Sequence, residues 1–288
     1  MRTMSAVLLL VLAGATAVPA RAAESVTGDR WERTVPVSAR PTVRVITDDG
    51  RVRVGVWDRR TVGLRVTTRG WHISDRGVRV SESHEGDRVS LEVREPHFQF
   101  HFGITNHTIL VEVWVPRSAD LAVQTGDGDV SIPAVQGRLD VSTGDGDISV
   151  EGAKGVFHLK SGDGRIVATG LDGTLGAHTG DGSVRIDGRF DALDLSSGDG
   201  SITAEAAPGS RVNGAWSVGT GDGQVTLLVP RDLKADVSAH SGDGDITIDL
   251  PMTVSGTVNR HNVRGTLNGG GPPLTMHTGD GSIRLSPR

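Results

Sequence analysis

A twelve-residue pattern recurs eight times in this chain of 288 residues: apolar, x, apolar, x, Ser/Thr, Gly-Asp-Gly, x, Val/Ile, x, apolar. Its centres are Thr125-Gly-Asp-Gly128, Thr143-Gly-Asp-Gly146, Ser161-Gly-Asp-Gly164, Thr179-Gly-Asp-Gly182, Ser197-Gly-Asp-Gly200, Thr220-Gly-Asp-Gly223, Ser241-Gly-Asp-Gly244 and Thr278-Gly-Asp-Gly281. The first five are spaced by 18 residues, the later ones by 23, 21 and 37. A fixed period built from two short alternating runs is the signature of stacked β-repeats.

Five and three residues before the first Gly of each motif, and four and six after it, every copy is apolar. The first copy has Leu121, Val123, Val130 and Ile132 there, and the last has Leu274, Met276, Ile283 and Leu285. The inner two of these columns lie seven positions apart, an odd number, so a continuous strand would put them on opposite faces. The chain must therefore turn at Gly-Asp-Gly for both runs to face one interior. Glycine tolerates the positive φ of such a corner and Asp can bond its own backbone, so the motif reads as turn chemistry. A second turn, at Gly137, Gly155 or Gly173 in the early copies, completes a coil of two strands and two corners. Coils are predicted to stack in parallel about 4.8 Å apart. The Ser/Thr column falls on the inward alternation and reads as a hydroxyl ladder serving backbone groups near the bend.

Residues 1–22 stand apart. Arg2, the apolar run Val7–Val18 and the A-x-A site Ala20-Arg21-Ala22 form a secretory signal-peptide pattern. Its removal takes away Arg2 and Arg21 and moves the formal net charge from −5 to −7. The remainder divides into an irregular β region or cap at 23–118 and regular repeats at 119–288, with an irregular excursion at 249–273. Thr42–Val56 reads as two strands about a degenerate corner, Asp48-Asp49-Gly50, with further strands near Val78–Ser81, Val89–Val93 and Ile109–Val115. The expected fold is all-β: a parallel β-solenoid of 18-residue coils preceded by less regular strands.

Several functions fall away on composition. There is no cysteine, which excludes disulfides, thiol catalysis and a cysteine-linked lipid anchor. A mildly acidic exported chain is a poor nucleic-acid binder. No segment after the leader approaches the roughly 20 apolar residues of a membrane span. Nothing resembles a nucleophile elbow, an H-E-x-x-H helix or a phosphate-binding loop, so no catalytic residue and no cofactor is assigned and the chain reads as non-enzymatic. The column Asp127, Asp145, Asp163, Asp181, Asp199, Asp222, Asp243 and Asp280 brings like charges within about 5 Å, a repulsion of about 0.9 kcal/mol in water and about 3.5 at an effective dielectric of 20. An exposed ladder is tolerable on those terms. Calcium-binding β-rolls share the 18-residue coil, but their nonapeptide places Asp two residues after a Gly and two before the aliphatic. Here Asp lies between the glycines, so no metal ligand is assigned and a calcium-dependent β-roll stays a lesser alternative. His178, His240 and His277 share an outward position and read as surface variation.

The run His97-Phe98-Gln99-Phe100-His101-Phe102 puts three Phe on one strand face and two His on the other. His107 can approach them across a hairpin through Gly103–Asn106. These residues (His97, Phe98, Phe100, His101, Phe102 and His107) form either an aromatic cover for the coil stack or a candidate interaction patch. Four of the five Trp and three of the five Phe fall within 24–118, so any specificity is expected there.

The Thr/Ser-Gly-Asp-Gly-x-Val/Ile units after a leader, with the strand end Val113-Trp114-Val115-Pro116 running into the first clear copy, resemble a bacterial β-strand-repeat family of unknown function labelled "putative adhesin". The resemblance covers about residues 40–286. It implies a β-solenoid in an envelope or extracellular setting and brings no catalytic residues. The expectation is an exported scaffold or adhesin-like interaction module, periplasmic, surface-associated or secreted, whose partner is an envelope protein or a glycan. A carbohydrate-binding or carbohydrate-active β-helix protein is the alternative. No sorting signal or membrane anchor is visible, so a partner would hold the protein at a surface. Exposed coil ends favour end-to-end stacking unless capped.

Overall fold

The computed structural model describes residues 23–96, 107–255 and 259–288. The leader and the run His97–Phe102 lie outside them. Aliphatic and β-branched residues at alternate positions, broken by Gly and Asp, form short strands, and the described residues contain no helix.

The strands before the first clear motif are β1 (Ala23–Thr27), β2 (Arg30–Pro36), β3 (Thr42–Thr47), β4 (Arg51–Trp57), β5 (Thr61–Arg69), β6 (Arg79–Glu85), β7 (Arg88–Arg94) and β8 (Thr108–Pro116). The repeats supply β9 (Asp120–Gln124), β10 (Val130–Ile132), β11 (Gln136–Ser142), β12 (Ile148–Glu151), β13 (Lys154–Lys160), β14 (Ile166–Thr179), β15 (Val184–Ser197) and β16 (Ile202–Ala206). They continue with β17 (Trp216–Thr220), β18 (Val225–Val229), β19 (Ala235–Ser241) and β20 (Ile246–Ile248). The excursion and last copy add β21 (Met252–Val254), β22 (Asn262–Leu267), β23 (Pro273–Thr278) and β24 (Ile283–Pro287).

Two sheets face each other across one narrow core. Strands running into the motifs form a leading sheet in the spatial order β6-β7-β3-β9-β11-β13-β14-β15-β17-β23-β19-β22-β21. Strands running out of them form a trailing sheet, β1-β2-β5-β8-β4-β10-β12-β14-β15-β16-β18-β24-β20. The long β14 and β15 run round the second corner and contribute to both. In the body, pairing is parallel with an offset of one repeat, as in Leu139↔Phe157 and Ile148↔Ile166. At the ends it is antiparallel, in β1–β2–β5–β8 and β6–β7 on one side and β19–β22–β21 on the other. The chain is thus all-β and solenoid-like with sheets of mixed sense, which corrects the expectation of a purely parallel stack. A terminal coil would leave open edges, and the antiparallel strands extend the sheets past it.

The coils also depart from chain order. β3 and β4 lie between the later pair β7 and β8 and the first regular coil, β9 and β10. At the other end β23 and β24 are inserted between β17–β18 and β19–β20, so the eighth motif stacks on the sixth and the seventh on the eighth. At that end the outermost coil is therefore not the one nearest the chain terminus.

All four apolar columns are buried except at Ile246 and Ile248 on β20, the last strand of the trailing sheet, which has no coil beyond it. The corner explains the motif differently from the sequence reading. None of the motif glycines has a positive φ. What excludes a side chain is the layer beneath: a Cβ on Gly164 would sit 2.0 Å from the Gly146 carbonyl oxygen, and one on Gly146 2.2 Å from that of Gly128. Successive corners touch backbone to backbone, with the first Gly in six of the eight motifs donating its N–H to the first Gly below, as Gly180 does to Gly162. The Ser/Thr hydroxyls do form an inward ladder. Thr143 Oγ1 lies 3.0 and 3.1 Å from the carbonyls of Gly126 and Gly128 and accepts from Gly146 N–H at 3.2 Å. Ser197 and Thr278 repeat this arrangement in their own layers.

Candidate functional site

The motif aspartates are the most regular polar feature of the chain. All eight are exposed. Among the described residues none of them bonds its own backbone, so the expected Asx-turn is absent; stacked glycine backbones and the hydroxyl ladder already satisfy the corner. No group of three or more His, Asp or Glu able to hold a metal ion comes together among the described residues.

Of the aromatic patch expected from sequence, only His107 lies within the described residues. Its ring stacks on Trp71, with centroids 4.6 Å apart and planes 20° apart. The outward histidines fall where the alternation puts them. His240 and His277 are direct cross-strand neighbours; His277 lies over Gly219, and His240 bonds the Asn262 side chain at 2.9 Å.

The sequence reading missed a different aromatic pair. Inward positions of β8 are Ile109, Val111, Val113 and Val115, all buried, which turns Trp114 outward. On β4 the same alternation turns Trp57 outward. The two rings lie 6.2 Å apart with planes 22° apart. Both lean over glycine: a Cβ on Gly55 would meet the Trp114 ring at 2.6 Å, and one on Gly63 the Trp57 ring at 2.5 Å. Gly55 and Gly63 are the cross-strand partners of Trp114 on either side, so the sheet is bare where the indoles lie down. Trp57 Nε1 donates to the Thr61 carbonyl at 2.7 Å, which fixes its ring. The signal available in the sequence was a large aromatic residue at an outward strand position.

A guanidinium lies over each ring. The Arg59 guanidinium stands 5.1 Å from the Trp57 centroid and that of Arg65 4.7 Å from Trp114. Arg65 also bonds Glu32 and reaches Glu112 at 3.3 Å. Bonds from Arg30 and then Arg65 hold the Glu32 carboxyl below its usual range. Burial opposes the charge on Arg65, yet its bonds to Glu32 and Glu112 outweigh this and strengthen its hold on the proton. A shallow cavity of about 130 Å³ is lined by Glu32, Thr34, Trp57, Gly63, Arg65 and Trp114, among others.

A larger hollow of about 460 Å³ lies at the degenerate corner, where Asp48 replaces the first Gly of the motif. Asp48 is engaged there: Arg94 Nη1 donates to it at 2.7 Å and Glu95 N–H to the same carboxylate at 2.8 Å. Burial, then Asp49 and Asp48, pushes the Glu95 carboxyl up to about 7.

No curated protein matches the sequence. Solved structures that resemble it include a "putative adhesin" of Bacteroides fragilis (10% identity, 91% of this chain and 98% of the other, TM-score 0.41). A "putative lipid binding protein" of Parabacteroides distasonis gives 12% identity, 90% and 98% coverage and a TM-score of 0.42. A "putative cell adhesion protein" of Clostridium sporogenes gives 10% identity, 91% and 100% coverage and a TM-score of 0.31. The Toastrack DUF4097 pattern matches residues 61–286, well over half of the chain. By that match, this protein belongs to the Toastrack DUF4097 family.

Proposed function

We propose that this protein is an exported, non-enzymatic β-solenoid scaffold of the cell envelope that presents an interaction face. The observation that carries the reading is the outward Trp57–Trp114 pair on strands whose backbones are paired on both sides. Residues of the repeat are consumed by stacking, whereas this pair serves no interior. An outward, half-buried aromatic pair on a paired sheet is a feature that recognition surfaces use. The leader pattern at 1–22 supports export, and no described helix is long and apolar enough to cross a membrane.

The test is binding of residues 23–288 to a panel of cell-envelope proteins and glycans, beside a Trp57→Ser/Trp114→Ser variant of matched circular dichroism. Binding lost in the variant supports the module. Cleavage of any panel glycan by the purified protein, abolished by Glu95→Gln or by one Asp→Ala change, would replace it with an enzyme.

A further inference from the structure

We infer that the Trp57–Trp114 face binds an acidic saccharide, with a pyranose ring laid against the indoles and its carboxylate held by Arg59. The inference rests on the interaction-module reading above and names its ligand.

A pyranose ring has an apolar C–H face and a rim of hydroxyls, so it needs a flat aromatic surface bordered by hydrogen-bonding groups. The indole pair supplies the surface, its planes within 22° of one another. Glycines at 55 and 63 keep neighbouring side chains from standing up beside the rings. The rim holds Glu32, Thr34 and Arg65, which offer both acceptors and donors. At about 130 Å³ the concavity suits one ring at a time rather than the broad contact of a protein partner.

Charge decides which saccharide. Arg65 is already matched by Glu32 and Glu112. Arg59 contacts the Trp57 ring, yet among the described residues no carboxylate lies within ion-pair distance of it. This exposed guanidinium, lying over the Trp57 ring, offers a planar fork that a uronate carboxylate fits in bidentate fashion. Its neighbour Arg60 is exposed as well.

The experiment titrates residues 23–288 with oligogalacturonate and with its methyl ester, which keeps the rings and removes the charge, by calorimetry at low and moderate salt. Arg59→Gln, Trp114→Ser and Trp57→Ser are compared with wild type after a check of melting temperature. The expected result is saturable binding of the acid, weakened about tenfold or more by either Trp change. Arg59→Gln should weaken the acid by about tenfold and leave the ester unchanged. Absence of binding to the acid, or binding that the Trp variants retain, overturns the saccharide assignment. If an envelope protein from the panel instead binds wild type and not the Trp variants, the module stands and its ligand is a protein. If nothing binds wild type, both readings fail.

Discussion

At the scale of single residues, the motif divides into positions that stacking forbids to change and one that it leaves alone. Gly164 faces the Gly146 carbonyl at a distance no Cβ can occupy, while Asp163 beside it points into solvent. Gly164→Ala should therefore cost about 3 kcal/mol, and Asp163→Ala no more than about 0.5, read as urea midpoints. The two apolar columns on each side of the motif were legible because burial of alternate positions leaves a period of two. The reason for glycine was not, because close approach between layers is a contact across 18 residues that no local signal records. Trp114 was half legible: its outward placement follows from the alternation of β8, but its neighbours Gly55 and Gly63 are known only once the strands are paired. Glu95 allows a pH test. With its pKa raised to about 7, chiefly by burial and then by Asp49 and Asp48, the folded state keeps a proton that the unfolded chain has released. Its contribution to stability is thus greatest at low pH and falls as pH rises from about 4.5 through about 7. Arg94, bonded to Asp48 and Glu92, stays charged throughout. Urea midpoints at about pH 5 and about pH 8 should show this decline, and Glu95→Gln should remove the part due to Glu95.

Among the elements, the ends of the stack differ from its body. The interior strands bury Val, Leu and Ile on both sheets, but at the first end two charged residues turn inward. Arg33 on β2 sits between the buried Trp31 and Val35 and meets Glu82 of β6 at 3.0 Å. The Glu82 side chain is only 3% exposed and that of Arg33 28%. This pair ties the antiparallel strands of the trailing sheet to those of the leading sheet, closing the core where the repeats run out. Removing Glu82 takes away the buried carboxylate that faces the partly buried Arg33 guanidinium. Glu82→Gln should cost about 2 kcal/mol or more in chemical denaturation, while Arg33→Met combined with Glu82→Leu should recover most of the loss. Neither residue stood out in the sequence, where both look like ordinary surface charges on polar strands. The opposite end is closed differently. β20 has only three residues, is flanked by the exposed Asp245 and Asp249, and receives an additional bond from Ile246 N–H to the Arg260 carbonyl. Short edges flanked by charge resist pairing with another chain, which opposes the end-to-end stacking expected of an open coil.

For the molecule as a whole, the order of coils matters more than their number. β23 and β24 are clamped between two coils, so their amides should exchange with solvent as slowly as those of the central strands, and those of β20 much sooner. Hydrogen exchange read by mass spectrometry checks this, and equal loss of protection at β20 and β24 would contradict the inserted order. The repeat count and the spacing foretold a stack but not this interleaving, since copies seven and eight carry the same motif and differ only in the length of chain between them. That arrangement limits how such a protein can grow. A duplicated unit added beyond β24 finds both neighbouring places already filled. One added in the evenly spaced middle, such as a second copy of residues 154–171, meets a repeat of the same length and register above and below. Such an insertion should fold and lengthen the particle by about 4.8 Å in small-angle scattering, whereas the same segment appended after Arg288 should hang unpaired. Lineages of this fold would then gain and lose length from within, between two ends that stay as they are.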